Sequence, residues 1–154
     1  MRALIQRVTR AQVAENSGNN TAAATIGRGL VIFAGFEDAD SLVIIEQLTQ
    51  KLKSLRIFSD ETGKLNLSGA EVGAEYLLVS QFTLFADCRY GNRPSFASAA
   101  AKSKAKGFYE HFVNTSARLF GSDLVHHSLF GTDVSVDLVN DGPVTLWLDS
   151  REIL

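Results

Sequence analysis

Tyr76-Leu77-Leu78-Val79-Ser80-Gln81-Phe82-Thr83-Leu84-Phe85-Ala86 is the stretch around which the rest of the chain is read. Its first four residues are an apolar run with the β-branched and aromatic content of a buried strand. The run then breaks into Ser80, Gln81 and Thr83, three hydrogen-bonding side chains in four positions. A buried strand that turns polar at its C-terminal end is a common place for ligand chemistry in α/β proteins. The same pattern also fits a strand that simply runs out into a solvated turn. Nothing inside the stretch decides between the two.

Working outward, the upstream sequence supplies partners for such a strand. Residues 2–9 mix aliphatic, β-branched and polar side chains and read as a first strand. Residues 16–20, Asn-Ser-Gly-Asn-Asn, have the composition of a hairpin turn, with 22–26 as the returning strand. Residues 30–36 are continuously apolar, which predicts a central strand covered on both faces. Asp38, Asp40 and Ser41 then offer helix N-caps. Leu42, Ile45, Leu48, Leu52 and Leu55 follow as the packed face of an amphipathic helix. A short strand at 56–59 turns through 60–63 into a partner at 65–67.

Downstream, residues 88–96 lack periodicity and read as an ordered surface loop. Helical spacing runs from about residue 99 to 120, gathering Phe108, Tyr109, Phe112, Val113 and Phe120 on one side. Strands at 124–128, 134–139 and 144–148 complete the chain. Between the last two lies Asn140-Asp141-Gly142-Pro143-Val144-Thr145, holding one of only two prolines. That composition would make an ordinary turn, yet Gly-Pro also permits unusual backbone, since glycine tolerates most φ values and X-Pro bonds adopt cis. Two helices against seven or so strands give a mixed α/β (α+β) layered fold in one domain, residues 1–154.

Composition excludes several classes. At 154 residues, with 45% hydrophobic and 21% charged side chains, the chain is an ordinary globular domain. No apolar run approaches the roughly 20 residues that span a bilayer, and Arg2 and Arg7 interrupt the N-terminus too early for a signal peptide. A single cysteine fits a reducing compartment, and the expected location is cytoplasmic. A net charge of −2 gives no overall footprint for nucleic acid, so neither DNA nor a membrane is an expected partner. The densest basic cluster is Lys102, Lys104 and Lys106, with Arg89 and Arg93 nearby; it reads equally as a solvated face.

Candidate chemistry is sparse. Ser80 is not in a Gly-x-Ser-x-Gly elbow. His126 and His127 are adjacent on a strand and point to opposite faces, and no metal-ligand spacing is present, so neither metal nor cofactor is expected. Cys88 is a conceivable thiol nucleophile but more simply a small packing residue. Thr83 is the best-placed hydroxyl, and no base stands near it in sequence.

Taken together, Ser80-Gln81-Phe82-Thr83-Leu84 and Asn140-x-Gly142-Pro143-Val144-Thr145 resemble the paired signatures of the D-aminoacyl-tRNA deacylases. Residues 1–9, Lys64-Leu65-Asn66-Leu67-Ser68 and Arg93-Pro94-Ser95-Phe96 extend the resemblance in order along nearly the whole chain. It implies a three-layer β/β/α sandwich, a homodimer, and hydrolysis of the ester of D-aminoacyl-tRNA as chiral proofreading. A non-catalytic binder of tRNA 3′ ends with the same fold is the rival reading, and a Cys88 esterase a third.

The missing base then becomes intelligible, because an aminoacyl ester is activated and has a free ribose 2′-hydroxyl beside it. Positioned water, backbone N–H donors and that hydroxyl suffice. On the resemblance, Ser80, Gln81, Phe82 and Thr83 build the pocket, with the Phe82 and Thr83 amides facing the carbonyl. Gly142 and Pro143 enter the partner subunit's pocket and clash with L side chains; if their peptide bond is cis, their carbonyls point the same way and accept from the substrate ammonium. Glycyl-tRNA lacks the clashing group and is therefore expected to react as well. Phe130 matches a pocket-lining phenylalanine; Val134 stands where the family commonly has Met; Arg7 matches an arginine that braces the Gly-Pro loop. An isolated reading of Arg7 would make it a surface charge on an edge strand.

Overall fold

The computed structural model of the protein describes residues 1–15 and 22–154. The turn expected at 16–20 lies outside the described residues. Two parallel strands form the centre: β3 (Gly29–Gly35) and β6 (Glu75–Ser80), with Leu30 opposite Tyr76 and Ala34 opposite Ser80. Their side chains alternate between two cores. Leu30, Ile32, Ala34, Tyr76 and Leu78 join the core that packs on the helices, while Val31, Leu77 and Val79 join a second core on the opposite face. Burial on both faces leaves no polar positions, which is why both strands read as unbroken apolar runs.

The long strand β1 (Arg2–Glu15) builds the other layer by changing sides. Its first half pairs antiparallel with β3 and its second half with β2 (Ala22–Ile26). Met1, Ala3 and Ile5 lie in the helix-side core, but Val8, Ala11 and Val13 lie in the second core. A regular strand would keep all odd residues on one face. A register shift between Val8 and Arg10 moves the alternation by one residue and swings the strand out of the central layer. Its second half, with β2 and the start of β8 (Val134–Asp149), covers Val31, Leu77 and Val79. The layers are therefore β, β and α.

On the helical side α1 (Leu42–Ser54) and α2 (Lys102–Phe120) close the larger core. Ser41 caps α1, its hydroxyl accepting from the Ile44 amide at 3.3 Å. Ile45, Leu48 and Leu52 are buried as expected, whereas Leu42 is half exposed. At the helical repeat Leu42 lies roughly 90° from the mean direction of those three, outside the packed stripe. The second helix starts three residues later than its periodicity suggested, because Ala100 is held as a loop by the Phe36 carbonyl at 2.9 Å. A small hairpin, β4 (Phe58–Ser59) and β5 (Leu65–Leu67), turns on the Asp60 carboxylate. The strand β7 (Val125–His127) adds in parallel to β6, and a short α3 (Ser150–Ile153) follows β8. Among the described residues no helix is long and apolar enough to cross a membrane.

One expectation is corrected. The segment around Gly142-Pro143 does not turn one strand into another: β8 is a single strand, paired along β1 on both sides of it. Gln6 faces Thr145 and Val8 faces Asn140, so residues 141–144 bulge from the ladder opposite Arg7 alone. Two β-rich segments with a turn-like composition between them look the same in sequence whether the chain reverses or bulges.

Candidate active site

The end of β6 is where the sequence places its chemistry, and it is an open backbone turn. After Ser80 the chain enters a 3-10 turn, Phe82–Phe85. The Gln81 amide donates to the Ala34 carbonyl at 2.8 Å, continuing the parallel ladder by one bond. The Gln81 side-chain amide donates to Thr83 Oγ1, fixing both side chains. Phe82 and Thr83 open the turn, so their amides have no preceding turn to bond to; both residues are exposed. Ser80 Oγ has no hydrogen-bond partner among the described residues. Nothing hydrogen-bonded to Ser80 or Thr83 can serve as a base.

Three supports hold this turn. Gly35, at the end of β3, lets it approach: an added Cβ would lie 2.7 Å from the Gln81 carbonyl oxygen and 3.2 Å from Phe85. The Arg2 guanidinium donates to the Leu84 carbonyl at 2.9 Å, stacks 4.4 Å from the Phe85 ring centre, and pairs with Asp149 at 2.9 Å. Asp149 is held far below the usual carboxylate range, first by the Arg151 side chain and further by its backbone and Arg2, against the opposing effect of burial. Tyr109 of α2, buried beneath the strand end, donates to the Leu78 carbonyl at 2.9 Å. Burial pushes its phenol up to about 12, against hydrogen bonds from Ser128 and the Ser80 backbone. Neither Arg2 nor Tyr109 was singled out for the site from sequence. Arg2 carried no signal beyond a charge near the N-terminus; Tyr109 read as one more residue on an apolar helix face.

Phe130 reaches the same neighbourhood. It is half-buried and packs on Tyr109 with ring centres 5.8 Å apart, and the Ser128 amide bonds the Leu78 carbonyl at 3.0 Å. The other candidates gather elsewhere. Arg7 is buried on an interior strand, not exposed on an edge. It donates to the Ile57 carbonyl at 2.7 Å, and its Nε pairs with Asp141 at 2.9 Å. Asn140 bridges the base of the bulge, donating to the Arg7 carbonyl at 2.9 Å and the Val144 carbonyl at 3.0 Å. The Gly142-Pro143 peptide is cis, and Gly142 has φ +113°. Both residues are exposed.

The two groups do not meet within one chain. Ser80 is level with Ala34, Ala3 and Leu148, while the bulge stands level with Arg7. Four residues of strand put them about 13 Å apart along it, and three strand spacings put them about 14 Å apart across the sheet. Val134 pairs with Glu15, farther still along β1, and packs into the second core. Cys88 is exposed on a cleft with Arg2, Phe85, Asp87, Arg89 and Arg151, which no histidine lines to activate it. Among the described residues no group of three or more His, Cys, Asp or Glu is arranged to hold a metal ion.

Fold and turn together define a class: a three-layer mixed α+β protein whose candidate pocket is made of backbone and uncharged side chains. The family model of D-Tyr-tRNA(Tyr) deacylase matches residues 4–149, and the chain belongs to that family. It is 46% identical to a D-aminoacyl-tRNA deacylase of Dictyoglomus turgidum over 99% of this chain and 95% of the relative. It is 47% identical to one of Dichelobacter nodosus over 94% and 97%. A solved structure described as c-Myc DNA Unwinding Element Binding Protein superposes with a TM-score of 0.90 at 36% identity, covering 97% of this chain and 98% of that one. Another, described as a probable eukaryotic D-amino acid tRNA deacylase, has a TM-score of 0.83 at 18% identity over 96% and 97%; at that identity the likeness concerns the fold.

Proposed function

We propose that this protein hydrolyses the ester of D-aminoacyl-tRNA in the cytoplasm, releasing the D-amino acid and reusable tRNA. The observation that carries the reading is a strand-end turn opened by the exposed residues Phe82 and Thr83, with no base beside its hydroxyls, in a chain of the deacylase family. An activated ester is what such a site can hydrolyse. Water adds to the carbonyl carbon, the oxyanion is met by the Phe82 and Thr83 amides, and the bond to the ribose 3′-oxygen breaks. The 2′-hydroxyl beside that oxygen helps pass it the proton. Ser80, Gln81 and Phe130 shape the pocket.

Chirality is read by the Gly142-Pro143 bulge of a second copy. Within one chain the bulge is too far from the turn to help; on a symmetric dimer it has a route to the partner's turn. Its carbonyls accept from the substrate ammonium, and its backbone leaves no room for an L side chain. Arg7, anchored on Ile57 and Asp141, braces it. Exclusion by rigid backbone is strong because overlapping atoms have no cheap relaxation.

The test is the deacylation rate of matched D-Tyr, L-Tyr and Gly esters of tRNA. The D-Tyr and Gly esters are expected to react and the L-Tyr ester to persist. Cleavage of the L ester within about tenfold of the D ester, a difference of ~1.4 kcal/mol, overturns the reading. Binding with no turnover of any ester leaves the non-catalytic tRNA binder instead.

A further inference from the structure

Residues 87–96 have no part in the chemistry above, yet they form a built loop. Asp87 and Ser95 exchange two backbone hydrogen bonds, at 2.7 and 2.9 Å, closing its base. The Asp87 carboxylate accepts from the Arg89 backbone amide at 3.0 Å and from its guanidinium at 2.9 and 2.6 Å. So braced, the loop displays Tyr90 at 81% exposure, with the Arg89 guanidinium 5.7 Å from the ring centre. Phe96 meets Phe82 edge-on at 5.1 Å between ring centres, which sets the loop directly against the reactive turn.

Charge follows the same path. Between residues 87 and 106 five cationic side chains stand against one carboxylate, on a chain whose net charge is −2. Lys104 and Lys106 have Asp38 and Glu110 nearby. Arg93 and Lys102 have no ion-pair partner among the described residues. Lys102 lies against Gly131, next to Phe130 of the candidate pocket. An exposed ring backed by a guanidinium, continued by unpaired cations, is the equipment for a single-stranded polynucleotide: bases stack on the ring, phosphates meet the cations. A duplex keeps its base faces internal and cannot use the ring.

We propose that the loop 87–96 and Lys102 form a subsite for the unpaired nucleotides preceding the esterified 3′ end of an RNA. One base stacks on Tyr90, and the phosphodiesters run past Arg93 and Lys102, delivering the terminal ribose to the turn. The proposal rests on the reading of the protein as a tRNA deacylase, but its test does not need turnover.

The experiment is fluorescence anisotropy of the whole protein with a labelled, unesterified single-stranded oligoribonucleotide of about eight nucleotides, within the usual span of such sites, and with a blunt duplex of the same strand. The single strand is expected to bind at least tenfold more tightly than the duplex. Tyr90→Ala is expected to weaken it about tenfold, within the range of one lost base stack, while Tyr90→Phe restores it. Arg93→Gln is expected to flatten the slope of log K against log salt by about 0.7, one phosphate contact on a single strand. With D-aminoacyl-tRNA as substrate, Tyr90→Ala is expected to raise KM. Equal binding by Tyr90→Ala and wild type, equal binding of duplex and single strand, or no binding of the single strand overturns the subsite. A wild type that binds the strand but cleaves no ester leaves the subsite standing and overturns the deacylase reading alone.

Discussion

Gly142 has φ +113°, and an added Cβ would lie 2.8 Å from Arg7 Nη2, 3.0 Å from Val144 Cγ2 and 3.2 Å from the Val144 amide nitrogen. Two of those neighbours are held: Arg7 is fixed on Ile57 and Asp141, and the Val144 carbonyl on Asn140. Gly142→Ala therefore combines backbone strain with displacement of the residue that braces the bulge. A stability loss of about 1–3 kcal/mol is expected, measured as a shift in denaturant midpoint. Deacylation of D-Tyr-tRNA is expected to fall steeply without any gain on L-Tyr-tRNA, since the backbone proposed to exclude L side chains remains. A variant that cleaves the D ester at the wild-type rate would remove the bulge from the site. How little of this environment local sequence records is plain from Arg7. Its neighbours there give a charge on a strand, whereas its burial depends on β8 lying outside β1 and on Asn140, which bonds its carbonyl from the other end of the chain.

The 3-10 turn is an element held from outside itself, and the holding is partly ionic. Arg2 bonds the Leu84 carbonyl and pairs with Asp149, which also accepts from Arg151. The lowered pKa of Asp149 fixes the sign of the pH dependence. A carboxylate with a folded-state pKa below its unfolded value, about 3.9, lends its full stabilisation above that value. The stabilisation is lost as pH falls through the folded value. Unfolding midpoints measured from pH 7 down to 2 should therefore drop more steeply for wild type than for Asp149→Asn, the gap between the two curves narrowing steadily below about pH 4. Parallel curves would mean that Asp149 contributes nothing ionic. What was legible at this scale follows burial. Strands β3 and β6 are apolar on both faces, and Ile45, Leu48 and Leu52 mark a helix because each face meets a core. The bulge in β1 was not legible, because Thr9 and Arg10 are exposed and carry no alternation to break. The late start of α2 was equally silent, since alanines fit loop or helix and only the Phe36 carbonyl decides.

Across the whole molecule the central sheet keeps one stretch only partly covered on the face away from the helices. Phe33, Leu4 and Trp147 are directly opposite one another on three adjacent strands, so they share that face. The second β layer covers Val31 and Val79 and reaches Phe33, but not the far end of the row: Trp147 is 46% exposed, and Phe82 of the turn 55%. A contiguous apolar row beside a candidate site is the kind of surface that a second copy covers. The same row borders both the turn and the strand that carries the bulge, the two halves that one chain cannot bring together. The motifs were readable in the sequence; their separation was not, because it depends on three strand spacings of topology. The proposed two-fold assembly makes a prediction that mixing two damaged chains can test. In a two-fold assembly each site takes its turn from one copy and its bulge from the other. A chain damaged in the turn by Gly35→Val, which drives side-chain carbons toward the Gln81 carbonyl, should be inactive alone. A chain carrying Gly142→Ala should also be nearly inactive alone. Mixed in equal amounts and allowed to exchange, half of the dimers are hybrids, and each hybrid joins the sound turn of one chain to the sound bulge of the other. Deacylation of D-Tyr-tRNA should return to about a quarter of the wild-type rate. Sedimentation of the mixture at the assay concentration establishes that dimers are present. Two well-folded dimeric variants whose mixture stays as inactive as its components would show that each site is built within one chain, and the shared site would have to be abandoned.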